Sequence, residues 1–283
     1  MSNPLTNDGR VEYDTISNHR GVLSGVGESV RGSFLPLVVC LSIAFIYEAL
    51  IRTGALDARY LSPPSDILEA LVERVHDHHL GSDIWETLSG WFLGLSIALV
   101  LAIPLGILIG SSSILYHGTR GVIEVLRPIP SVAMLPLVVL TLGNGLEAKV
   151  FLVAFACLWP ILIQTIYGLR DLDSQLIEAA RSLGMGRVSR LTRVAFPGAL
   201  PYVATGLRVA CSLALVLTVT VELVIGAPGL GQSIALTESG GAVASMYALI
   251  VVTGALGWTL NWLFLRLERR ALRWHVAYRS GNP

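Results

Sequence analysis

Charge is scarce in this sequence: 14% of its 283 residues are Asp, Glu, Lys or Arg, against 53% apolar. That balance is too apolar for an ordinary water-soluble domain. Acids and bases cancel to a formal net charge of zero, so no basic footprint for nucleic acid follows. Lysine is all but missing. Lys149, the only one, has no G-x-x-x-x-G-K context, so the chain has no P-loop with which to cradle ATP. Cys40, Cys157 and Cys211 each fall in an apolar run and none forms a C-x-x-C, which argues for packing residues rather than a disulfide frame or metal site. No H-E-x-x-H, nucleophile elbow or acidic pair occurs within the apolar runs, so a membrane enzyme is poorly supported. The histidines of the His76–His79 run read as a solvated helix end, since His and Asp alone lack the surrounding hydrogen bonds of a metal site. The expectation is a chain with no catalytic residue, no metal and no cofactor of its own.

What is present is a series of apolar runs close to the ~20 residues that cross a bilayer, with no strand-like alternation competing. They predict an all-α polytopic membrane protein of about six transmembrane helices, near 34–51, 88–110, 121–142, 148–169, 202–225 and 246–265. Residues 1–32 read as a polar N-terminal arm without the apolar core of a cleavable signal, 33–268 as the membrane domain and 269–283 as a basic tail. Ser62-Pro63-Pro64-Ser65-Asp66 predicts a turn opening a helix along the membrane surface, with Ile67, Leu68, Leu71, Val72 and Val75 on its apolar face. The second span repeats small residues at Gly90, Gly94, Ala98, Ala102 and Gly106, suited to close helix packing. Residues 111–119 read as a short internal turn and 226–245 as an external segment.

Arginine placement sets the topology. With the N-terminus inside, fourteen arginines fall on the cytoplasmic side, while Arg52, Arg59, Arg74 and Lys149 fall outside. That excess satisfies the positive-inside rule and puts both termini in the cytoplasm. The third span carries Pro128, Pro130 and Pro136, which must break or bend it. Broken spans are tolerated where they are buried in protein or line a cavity, so a kinked packing helix and a pathway-lining role both stay open. Candidate pathway residues are Arg127, Pro128, Pro130, Met134, Arg208 and Glu222. Arg208 can equally snorkel to the inner interface and Glu222 sit at the outer one.

The longest polar interruption in the C-terminal two-thirds runs over 171–201. Asp173 reads as an N-cap, Leu176, Ala179, Ala180 and Leu183 recur at helical spacing, and Gly184 supplies a left-handed stop. Val188, Leu191 and Val194 then oppose Arg187, Arg190 and Arg193 on a second short helix, and Pro197 and Pro201 are expected to keep it from running into the fifth span. A helical connection or an element seeking a groove on a partner would both look like this.

The spacing Glu178-Ala179-Ala180, three residues, Gly184, nine residues, Val194-Ala195-Phe196-Pro197 resembles the EAA signature of binding-protein-dependent ABC importer permeases. Val194 and Phe196 stand where that family has Ile and Leu. The L-S-P-P-S-D-I-L wording at 61–68, R-P-x-P-x-x-A-x-x-P-L at 127–137, Gly206-Leu207-Arg208 and Gly229-Leu230-Gly231 resemble the nitrate/sulfonate/taurine-type subfamily, over roughly 61–267. The resemblance implies the type I ABC importer permease fold in a bacterial inner membrane, moving solute by alternating access. It implies two separate ATP-binding subunits carrying ATP and Mg, a second permease (by subfamily habit a copy of this chain) and an extracytoplasmic solute-binding protein. The coupling residues it implies are Glu178, Ala179, Ala180, Gly184, Met185, Gly186, Val188, Leu191 and Pro197. Glu178 would cap or anchor the coupling helix, the two alanines allow close approach, and Gly184 set the bend. A small organic anion such as a sulfonate or taurine is the first expectation for the solute, with nitrate, bicarbonate, an aromatic acid or a pyrimidine precursor as others. The rival reading is a secondary transporter or channel working alone; Glu48 and Glu222 lie too near span ends to favour it.

Overall fold

A computed structural model describes residues 25–57, 59–76 and 78–272. Most of the expected N-terminal arm and of the basic tail lies outside these residues. The described residues are helical, with turns and no strand. The chain divides into two units, one ending at Leu56 and one beginning at Asp57. In the first, α1 spans Gly25–Arg52 and contains the expected first span. Glu48 is engaged there by Arg52, one turn on, at 2.6 Å.

In the second unit, α2 (Pro64–His76) opens at the predicted proline turn. It buries Ala70 and leaves Leu68, Val72 and Val75 exposed, the outward apolar stripe expected of a helix lying along a membrane surface. Next come α3 (His78–Ser111), α4 (Ser113–Leu126), a 3₁₀ turn (Ser131–Met134) and α5 (Leu135–Leu142). The remaining helices are α6 (Leu146–Arg170), α7 (Ser174–Ser182), α8 (Arg187–Arg190), α9 (Phe196–Ile225), α10 (Leu230–Ser239) and α11 (Val243–Ala271). Among the described residues, four helices are long and apolar enough to cross a membrane, or five if the pair 113–126 and 131–142, bent by 74°, is one span. The break falls at Pro128 and Pro130, as proline chemistry requires.

Four boundaries differ from expectation. Helix α3 starts ten residues ahead of the second span's expected beginning at Leu88, and its early turns are tied to α10 by Ser233 donating to Asp83 at 2.5 Å. The expected turn over 111–119 shrinks to an extended residue, Ser112, whose hydroxyl caps α4 by accepting from the Leu115 N–H. The segment 226–245 is not simply a connection, because α10 folds back against α9 and α11. Pro197 and Pro201 do not stop the helix either: 187–225 runs on as one rod. A five-residue π turn, Leu191–Ala195, precedes Pro197 and widens the backbone where a proline ring would otherwise collide with the preceding turn.

The core is the seam where α3, α6 and α9 pack together. Ala98 and Ala102 are fully buried in it, and Cβ atoms added at Gly94 and Gly106 would lie 2.6 Å from Val153 and Thr165 of α6. The small-residue repeat thus sets the helix separation, as in other close membrane seams. Cys157 and Cys211 are buried in the same cluster as packing residues.

One end of the seam is closed by charge. Lys149 and Glu222 are both fully enclosed, with Nζ 2.8 Å from the Glu222 carboxylate. Lys149 also donates to the carbonyls of Pro228 at 2.7 Å and Glu86 at 3.1 Å. Glu222 accepts from the Thr87 hydroxyl at 2.9 Å and the Gly231 N–H at 3.0 Å, and Thr87 accepts from the Leu230 N–H. This network bears on two expectations: Lys149, counted on the outer side, and Glu222, a candidate pathway residue, are held against each other inside the protein. It also explains Gly229-Leu230-Gly231. Gly229 sits at φ +143° with a Cβ position 2.3 Å from the Glu222 carboxyl, and a Cβ on Gly231 would meet the Val219 carbonyl at 2.4 Å.

Removing one partner of such a pair leaves the other charge buried and is expected to cost about 3–5 kcal/mol. Lys149→Met should therefore lower the thermal midpoint of the detergent-solubilised protein sharply, and adding Glu222→Gln should recover most of the loss. Equal losses in the single and double variants would show that neutralising Glu222 is not what Lys149 does.

Candidate functional site

The loop 171–201 is built by cap chemistry. The Asp173 carboxylate accepts from the Gln175 N–H at 2.9 Å and starts α7. At its end Gly184, at φ +76°, allows the Gly184 N–H to reach the Arg181 carbonyl and the Met185 N–H the Ala180 carbonyl. This is the paired closure that a left-handed residue permits. Gly186 is extended and leads into α8. The base of the loop is clasped by the Tyr202 hydroxyl donating to Asp171, and the preceding Arg170 stacks over Tyr116 of α4 at 3.8 Å.

The loop leaves one apolar residue of α7, one at its C-cap and one of α8 in the open. Leu176 is 55%, Leu183 83% and Val188 74% exposed. Glu178 and Ala179 are exposed, whereas Ala180 is buried, Met185 and Leu191 half-buried, and Pro197 half-buried in the first turn of α9. Two expected roles therefore change. Glu178 does not cap the helix, because Asp173 does; its carboxylate is exposed mid-helix. Ala180 faces inward and leaves close approach from outside to Ala179. Under the loop, Ile177, Leu191 and Ala195 face Gly110 and Leu169 across a hollow of about 450 Å³.

The second candidate site is the bend. Arg127, Pro128 and Pro130 line a cavity of about 570 Å³ with Trp159, Pro160 and Gln164 of α6 and Val209 and Leu213 of α9. Met134 is not on its wall; it packs half-buried against Leu135, Val138, Ala148, Leu152 and Val221. Arg208 is not there either. Its guanidinium reaches the Glu268 carboxylate at 2.6 Å and 3.1 Å, tying α9 to α11. The pathway set thus resolves into three residues on a cavity and three that hold helices together. Trp159 and Gln164 were missed because an apolar span gives no sign of which face meets a hollow. Among the described residues no cluster of three or more His, Cys, Asp or Glu could hold a metal.

Comparison with known proteins places this geometry. The family described as binding-protein-dependent transport system inner membrane component matches residues 102–273. The chain belongs to this family. The nitrate import permease protein NrtB of Synechocystis sp. is 31% identical over 192 residues, 68% of this chain and 70% of that protein. The taurine transport system permease protein TauC of Escherichia coli is 31% identical over 221 residues, 76% of this chain and 80% of that one. The bicarbonate transport system permease protein CmpB of Synechococcus elongatus is 29% identical over 260 residues, covering 87% and 92%. In fold, the chain is similar to the inward-facing MetNI methionine ABC transporter, with a TM-score of 0.60 and 23% identity over 68% of this chain and 95% of that one. This permease is a multi-pass inner-membrane component of an ABC importer of the nitrate, taurine, sulfonate and bicarbonate group.

Asp173→Ala removes the cap of α7 and should cost about 1 kcal/mol of local helix stability. Hydrogen exchange over residues 174–182 of the purified permease is expected to speed up about fivefold, with α9 unchanged. Unchanged exchange would mean that packing, not the cap, holds α7.

Proposed function

We propose that this permease moves a small anion, first a sulfonate or taurine, inward by alternating access, driven by two separate ATP-binding subunits that grip the 171–201 loop. The observation carrying this reading is the loop's exposed apolar face. Leu176 on α7, Leu183 at its C-cap and Val188 on α8 are left in the open, and α7 is chemically capped at both ends. Burying such a side chain gains about 1.5–3 kcal/mol, so three together form a docking surface. Glu178 and Ala179 lie exposed on the same short helix. The chain itself has no P-loop, so the ATP and Mg belong to the partners. In this reading both termini are cytoplasmic, 33–268 is the membrane domain, a second copy of the permease completes the pathway, and an external binding protein delivers solute. Relatives named for nitrate, taurine, sulfonate and bicarbonate support an anion. Against a transporter working alone stand the two carboxylates it would use for coupling: Glu48 is held by Arg52 and Glu222 by Lys149.

Gly184 tests the coupling. Its φ is +76° with open space around the Cβ position, so a substitution there strains the backbone without a clash. Gly184→Val should cost about 1–2 kcal/mol locally and misdirect α7 relative to α8. Transport and solute-stimulated ATP hydrolysis are expected to fall at least tenfold while the permease still inserts in the membrane, and deletion of 178–196 should abolish co-purification of the ATPase. Normal transport by Gly184→Val, or an ATPase that still co-purifies after the deletion, would sink the assignment.

A further inference from the structure

We propose that the cavity at the bend is a recognition site within the permease for an organic anion: a sulfonate or carboxylate head held by Arg127, and a short apolar tail against the α6 and α9 wall. The proposal rests on the importer reading and adds to it a selection step distinct from the external binding protein.

Three observations converge on it. First, the arginines near the spans are not equivalent. Arg52, Arg120 and Arg208 each reach a carboxylate within 2.8 Å, and Arg170 lies on a tyrosine ring. Arg127 is exposed at the cavity wall and has no carboxylate partner among the described residues. It also borders a smaller neighbouring hollow lined by Tyr116, Tyr167 and the Arg120–Glu124 pair, in which the one acid is already engaged by Arg120, so the Arg127 charge stands where two spaces meet. Second, Trp159 lines the same cavity, and its indole N–H is enclosed without a hydrogen-bond partner. Enclosed donors are nearly always satisfied, so this N–H, on a residue of the cavity wall, is a donor for which the described residues supply no acceptor. Ser131 and Gln164 add polar groups to that wall. Third, the rest of the lining is apolar: Pro128, Pro160, Ile163, Val209 and Leu213. A bare hydrated anion gains nothing from that surface, whereas an alkyl or aryl tail is drawn out of water by it. The volume, about 570 Å³, suits a small molecule.

The test uses the full-length permease in its own membrane vesicles, with Cys40→Ser removing the exposed thiol and Ser131→Cys placing a new one on the cavity wall. A sulfonate-bearing thiosulfonate reagent should modify Cys at this position about tenfold faster than its trimethylammonium counterpart, after correction for their rates on a free thiol. Arg127→Gln should bring that ratio close to one. 1-Butanesulfonate should protect the thiol, while sodium nitrate at the same ionic strength should not, and Trp159→Phe should weaken protection severalfold. A ratio that ignores Arg127 would overturn the proposal, as would nitrate protecting as well as butanesulfonate, which would make this an inorganic-anion site. ATP-driven uptake by the complete transporter is scored separately: its absence alongside intact, Arg127-dependent protection would remove the importer reading and leave the site standing.

Discussion

The enclosed pair Lys149–Glu222 is the interaction on which the arrangement of the helices depends. Neither charge is tolerable in an apolar span alone, so each fixes where the other must be. The lysine satisfies its donors on Glu222 and on the carbonyls of Glu86 and Pro228, and the carboxylate takes Thr87 and the Gly231 N–H. Four elements, α3, α6, α9 and the start of α10, are thereby set in register at one end of the seam. The two glycines around Leu230 follow, since only a residue without Cβ brings backbone that close to the buried carboxyl. Small residues then keep α3 against α6 along its length.

The opposite end is held differently. There the contacts include two exposed side-chain pairs, Tyr202 on Asp171 and Arg170 on Tyr116, while the partly exposed Arg208 reaches the buried Glu268 through both its Nε and Nη2. Exposed pairs are weak and easily exchanged, whereas a fully satisfied buried network is not. The loop 171–201 springs from this looser end, and the bend between α4 and α5 lies against the same helices. A structure pinned at one end, with a proline break and a capped lever towards the other, has the stiffness distribution that rocking motion requires. The π turn lets α8 continue into α9, so that the loop and the span are joined in a rod of 39 residues.

Much of this was legible in the sequence, for reasons that differ by residue. Apolar length located the spans, and local chemistry located the ends of α7, because a cap at Asp173 and a left-handed Gly184 depend on nothing beyond their neighbours. The proline break was equally local. What stayed hidden was pairing. Glu222 and Lys149 are 73 residues apart and Arg208 and Glu268 are 60 apart, so neither acid could be assigned a partner from a single chain. Lys149 consequently counted as an outer-side charge, and Glu222 as a candidate for the pathway or the outer interface. The orientation of faces was hidden for the same reason: Met134 sits four residues from the cavity-lining Pro130 yet turns into a packed cluster.

The same distinction bears on the substrate. Relatives named for nitrate, taurine and bicarbonate stand at 29–31% identity to this chain, so overall similarity does not rank them. The features explained here by packing (small residues at the seam, the glycines by the ion pair, the caps of α7) would serve a carrier of any of these anions. They therefore say nothing about which one is carried. Charge within the spans is no better a guide until its partners are known. Arg208 is answered by Glu268, whereas Arg127 stands on a cavity wall with no carboxylate among the lining residues of that cavity. If the permease itself selects among these anions, the residues to examine are the few side chains that meet open space rather than protein. In this permease they gather where the prolines prevent a helix from closing over Arg127.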